Sequence, residues 1–155
     1  MDRHYWIRYL AYHLIIMVGL LCAAVVSAQS LEQEEIQKVM VAQWQRPDAP
    51  LTVAPIIVVG DDAIAGWTQG NRGGRALLRR QNGAWQVYVC GGDGLKQIST
   101  LQQAGIDHQA AQLLTTELAL AEANLSSNER KQFSTFEGIA PVDSNYNARH
   151  SQHHD

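Results

Sequence analysis

The side chains best suited to chemistry in this chain are few. They are His150, His153 and His154 beside Asp155 at the C-terminal end, and the thiol of Cys90. Neutral imidazoles ligate divalent copper, zinc and nickel, whereas a thiolate is the soft donor that selects monovalent copper. Both donor classes point to metal binding before any element is assigned. Ser151-Gln152 interrupts the histidines, so the run does not read as a purification tag. Its alternative reading is a solvated polar end. Cys90 has an equally plain alternative as a small apolar filler at a strand end. No Cys-x-x-Cys pair is present, which argues against redox work.

Other chemical signatures are weaker. Gly70-Asn71-Arg72-Gly73-Gly74-Arg75, with Arg79 and Arg80 close behind, lacks the spacing of a phosphate loop and the Lys-Ser/Thr that would follow it. It reads as a strand connection with a solvated basic rim, and an anion or partner surface is the alternative. There is no Gly-x-Ser-x-Gly elbow and no His-Glu-x-x-His pair. His108 sits at a helix start, and Glu117 and Glu122 share a helix without forming a matched catalytic pair. A non-enzymatic protein is the expectation.

The elements that must position these residues begin after an address segment. Arg3 and Arg8 precede a run from Leu10 to Ala28 without Asp, Glu, Lys or Arg, and Val26-Ser27-Ala28 ends it with small residues. This is the layout of a secretory signal peptide over residues 1–28, cleaved after Ala28, with export to the periplasm as the consequence. An uncleaved membrane anchor is the alternative. After cleavage no membrane span is expected, and Cys90 is left as an unpaired thiol because Cys22 departs with the signal. Over all 155 residues, 46% hydrophobic and 17% charged content is that of a globular protein, but much of the apolar share sits in the leader. A formal charge of −3, made more acidic by loss of the two leader arginines, argues against nucleic acid as a partner.

Downstream, Ser30 and Gln33 have capping-box spacing, and Ile36, Val39, Met40 and Trp44 share one face of a helix over about 31–45. Arg46-Pro47-Asp48-Ala49-Pro50 is a stiff connector. Strands follow at Ile56 to Val59 and Ala63 to Gln69, then a hairpin from Gly74 to Gln81 and Ala84 to Cys90 turns on Asn82-Gly83, the pair favoured in type I′ turns. Regular pairing from that turn sets Leu78 opposite Val87, Ala76 opposite Val89 and Arg75 opposite Cys90, where a nearby guanidinium would favour the thiolate. Ala76, Leu78, Trp85, Val87 and Val89 then share the expected core face.

Asp93 is the expected N-cap of a helix carrying Leu95, Ile98 and Leu101, closed by Gly105. Asp107 caps the next, with Ala111, Leu114, Leu118, Ala121 and Leu125 inward. Ser126 and Glu129 form a capping box for a last short helix bearing Phe133 and Phe136. The expected fold is α+β: an N-terminal helix, a four-stranded antiparallel meander and three helices packed on one side of the sheet. Residues 29–138 form one domain, and 139–155 a flexible tail.

The segment Trp67-Thr68-Gln69-Gly70-Asn71-Arg72-Gly73-Gly74-Arg75-Ala76-Leu77-Leu78-Arg79-Arg80, with Trp85 and Cys90-Gly91-Gly92-Asp93, resembles the copper uptake system-associated proteins, a small family of exported bacterial proteins. The resemblance extends through Arg46 to Leu51, the Leu101 to Gly105 helix end and Phe133 to Gly138. It implies a periplasmic accessory role beside copper import, with copper import components of the envelope as partners, and supplies no catalytic residues. His150, His153 and His154 are the expected divalent-copper ligands and Cys90 the monovalent-copper ligand. A metal-free protein-interaction module supporting an envelope transporter is the rival, favoured by exposure of Trp67 or Trp85 and weakened by burial of both. Met40 is the one methionine left after cleavage, which argues against a methionine-rich copper shuttle.

Overall fold

The computed structural model describes residues 29–142. The chain divides into two compact units, 1–32 and 33–155. Of the first, residues 29–32 are described and are helical. The expected signal peptide, and the tail histidines His150, His153 and His154, lie outside the described residues.

Apolar positions three and four apart make helix α1, residues 29–44, one-sided. Ser30 lies inside the helix rather than at its N-cap. Gln33 reaches across to the sheet, donating from Nε2 to the Ile56 carbonyl at 2.9 Å. After the turn at 46–49 come β1 (Leu51–Val59), β2 (Asp62–Gln69), β3 (Arg72–Gln81) and β4 (Ala84–Gly91). A 3₁₀ turn (Asp93–Lys96), α2 (Ile98–Gln103), α3 (His108–Ala123), α4 (Ser127–Phe133) and β5 (Ile139–Pro141) complete the described chain. The five strands form one antiparallel sheet in sequence order, so the fold is α+β.

One expectation about the layout is corrected. The sheet extends past Gly138, because Ile139 to Pro141 pairs with Val89 to Gly91 as a fifth strand. The N-terminal helix and the later helices cover opposite faces, and α2, α3 and Phe133 of α4 share one side as expected. Ile36 and Met40 of α1 pack with Val53, Ala63, Ala65, Ala76, Leu78, Trp85 and Val87. Leu101 of α2 and Ala111, Leu114 and Leu118 of α3 pack with Ile64, Leu77 and Val89. Alternation along β2 and β3 supplies both clusters, Ala63 and Ala65 to one and Ile64 to the other. A central strand buried on both faces needs helices on both. Each fully buried Leu, Ile or Met contributes about 1.5–3 kcal/mol through removal from water.

Local chemistry explains where these elements stop. Asn82 and Gly83 adopt φ of 51° and 80°, the left-handed pair that a two-residue hairpin requires. The Asp107 carboxylate accepts from the backbone N–H groups of Gln109 at 2.9 Å and Ala110 at 3.1 Å. Ser126 and Glu129 complete the expected capping box, and the hydrogen bond from Ser126 holds the Glu129 carboxyl below the usual carboxylate range. Asp93 makes no cap hydrogen bond and is part of an ion cluster instead.

Candidate functional site

Arg75 lies opposite Gly91, and Ala76 opposite Cys90, because β4 carries an extra residue after Val87. Leu78 pairs with Val87 as expected, but Leu77 pairs with Val89 across the irregularity. One inserted residue exchanges the faces of everything beyond it. Val89 therefore joins the α2/α3 side, and Cys90 packs against the α1 side.

This places Arg75 and Cys90 on opposite faces, and the expected activation of the thiol by the guanidinium does not hold. Arg75 is 1% exposed, and its Nε and Nη2 donate to the Glu122 Oε1 and Oε2 at 2.6 and 2.8 Å. Nη1 lies 3.2 Å from Asp93 Oδ1, and the guanidinium stands 5.3 Å from the centre of the Phe133 ring. Lys96 Nζ approaches Glu122 Oε2 at 3.8 Å. Glu122 is 3% exposed and occupies the inward stripe of α3 four residues after Leu118. Its position on that stripe was the available signal for a buried partner. Three N–H groups of this buried cation bond carboxylates and an aromatic ring covers its face, an arrangement that fixes structure.

The basic rim is also largely paired. Arg79 donates to Asp62 Oδ1 at 2.9 Å and to the Ala104 carbonyl at 3.1 Å, and stacks on Tyr88. Arg80 is 3.3 Å from Asp61 Oδ1 and stacks over Trp85. Among the described residues, Arg72 is exposed and has no carboxylate within ion-pair distance.

Cys90 lies at the wall of a cleft of about 620 Å³. Met40 and Trp44 of α1, Trp67 of β2 and Phe136 after α4 line it, with Leu51 and Val142 closing its sides. The aromatic wall depends on two glycines. A Cβ on Gly74 would stand 3.0 Å from both Phe136 Cβ and Trp67 Cζ2, and one on Gly73 would stand 2.7 Å from the Trp67 carbonyl oxygen. Without side chains there, Trp67 and Phe136 meet edge to face with ring centres 6.1 Å apart. Gln69 ties the floor to α1, donating from Nε2 to the Trp44 and Ala49 carbonyls at 2.8 and 2.9 Å.

The surroundings of Cys90 decide its state. Burial pushes the thiol up to about 11, so it is a neutral S–H at physiological pH. Trp85 is 4% exposed and belongs to the core, whereas Trp67 is half-buried at the cleft. His108 is exposed at the first turn of α3. Sequence reasoning missed the cleft, because its lining comes from five separate segments.

Comparison with known proteins returns no matching family, no similar curated protein and no similar solved structure.

Proposed function

We propose that this is an exported, non-enzymatic accessory protein associated with copper uptake, acting by binding in the cell envelope. The observation that carries this reading is the placing of Cys90 and Met40 on one cleft, since thiol and thioether are the soft donors suited to monovalent copper. The periplasmic setting and the copper import partners rest on the leader segment and on the resemblance to the copper uptake system-associated proteins. His150, His153 and His154 supply imidazoles for divalent copper. A neutral Cys90 must lose its proton to ligate, so monovalent copper binding strengthens as pH rises.

The test is titration of the mature chain with each copper ion against a competing chelator. Cys90→Ser is expected to abolish monovalent binding and leave divalent binding intact. Replacing His150, His153 and His154 by alanine is expected to do the reverse. Affinities unchanged in both variants would remove copper from the proposal.

The half-buried Trp67 in the cleft favours a second reading, the metal-free interaction module. It predicts that Trp67→Ala impairs copper accumulation by cells while the purified variant folds normally and binds copper as the parent does. Burial of Trp85 in the core leaves that side chain out of either reading.

A further inference from the structure

We infer that the cleft is also a binding site for a small, free, single-chain amphipathic carboxylate, with its apolar body between Trp44, Trp67 and Phe136 and its anionic head at Arg72. This goes beyond the copper reading and does not depend on it. The volume of about 620 Å³ falls within the roughly 300–1,000 Å³ typical of small-molecule sites. Aromatic and aliphatic side chains dominate the walls, and the two sulfur-bearing residues add apolar surface while Cys90 is protonated.

Charge selects the head group. Among the described residues, Arg46 and Arg72 are the charged ones lining the cleft, and no carboxylate lines it. Arg46 is engaged by Asp48 through a two-point ion pair, with Nε to Oδ1 at 3.1 Å and Nη2 to Oδ2 at 2.5 Å. Arg72 has no such partner among the described residues. A cation without an ion-pair partner among the described residues, at the mouth of an apolar cleft, is complementary to one negative charge on an apolar body.

The backbone around Arg72 is held in advance of binding. Gln132 Nε2 donates to the Gly70 carbonyl at 3.2 Å. Gly73 N–H donates to the Thr135 hydroxyl at 3.0 Å, and that hydroxyl lies 3.1 Å from the Gly73 carbonyl oxygen. The loop is thus pinned on both sides of Arg72 by the segment that also delivers Phe136. A preformed mouth reduces the ordering that binding must impose.

The test is calorimetric titration of the mature chain with decanoate and, as an uncharged match, decan-1-ol. Decanoate is expected to bind one per chain, about tenfold more tightly than the alcohol, from one charge-assisted contact at a solvent-facing cation. Arg72→Gln should bring decanoate to the level of the alcohol, and Arg72→Lys should restore most of the difference. Ala140→Trp, at an exposed position of β5 that lines the cleft, should abolish binding of both while the circular dichroism stays unchanged. Equal affinity for decanoate and the alcohol, or indifference to Arg72→Gln, would overturn the inference, as would absence of saturable binding. Phosphatidylglycerol vesicles capturing the parent and Ala140→Trp chains equally, with no decanoate binding, would assign the cation to a lipid surface and overturn it too.

Discussion

The two faces of the sheet are built from the same alternating strands but end in different states. On the α2/α3 face, Arg75 and Glu122 are both buried and joined by two short hydrogen bonds, with Asp93 and Phe133 around them. On the α1 face, the cover leaves a cleft lined by Trp44, Trp67, Phe136 and Cys90. The first face holds strong charges that are paired with one another. The second is lined mainly by apolar and neutral groups, with Arg46 and Arg72 at the rim, and leaves space. Charge buried inside a protein is tolerated only when its hydrogen bonds are satisfied, so the charged face is the closed one. Binding capacity resides where packing is incomplete.

The comparison breaks most directly at Glu122. Glu122→Ala leaves Arg75 buried with Asp93 alone, and is expected to cost about 3–5 kcal/mol in denaturant unfolding. Replacing the pair together, Arg75→Met with Glu122→Leu, should recover most of that loss. Should the single change be nearly neutral, the closed face would not depend on its ion pair.

Cys90 sharpens the contrast through its chemistry. With its thiol raised to about 11, iodoacetamide alkylation at pH 8 should run about a hundredfold slower than for an exposed cysteine and accelerate steadily with pH. The same shift makes its contribution to stability complete below the ordinary thiol pKa and progressively lost as pH rises toward about 11. A rate matching that of a free thiol would place Cys90 in open water.

Gly73 connects the two regions. Gly73→Ala sets a Cβ 2.7 Å from the Trp67 carbonyl oxygen and 3.0 Å from that of Gln132, so the loop must shift, at about 1–3 kcal/mol. Thermal unfolding followed by tryptophan fluorescence, to which Trp44 and Trp67 of the cleft contribute, should report the loss of stability together with a changed cleft. The smallest effect is expected at the solvent-exposed pair. Arg46→Ala, which removes an ion pair whose two side chains are 60% and 66% exposed, should leave the unfolding midpoint unchanged. A clear drop would mean that surface pairing also supports the open face.

Much of the fold is legible from residues close together in the chain. The Asn82-Gly83 turn, the Asp107 cap and the Ser126/Glu129 box form because their partners lie within a few residues and their geometry is local. The strand alternation is legible for the same reason. The fifth strand is not, since Ile139 to Pro141 is too short to show a period and exists only by pairing with β4. Asp93 reads as a cap and becomes an ion partner because Arg75 arrives from β3.

The candidate site is less legible than the fold. Cys90 and Arg75 can be singled out by type, but their relation turns on one inserted residue in β4, which separates them by a whole face of the sheet. Glu122 stands out only when its place on the α3 stripe is combined with a buried arginine 47 positions earlier. Trp67 and Phe136 read as separate aromatics until Gly73 and Gly74 allow the chain after α4 to settle against β3.

By itself, then, the sequence determined the turns, the caps and the α+β class, because hydrogen bonds and backbone preferences act between near neighbours. The tertiary structure alone decided which arginines are neutralised, that Cys90 keeps its proton, and where a cleft remains. Those properties depend on distances between remote segments and on the exclusion of water, neither of which exists until both faces of the sheet are covered.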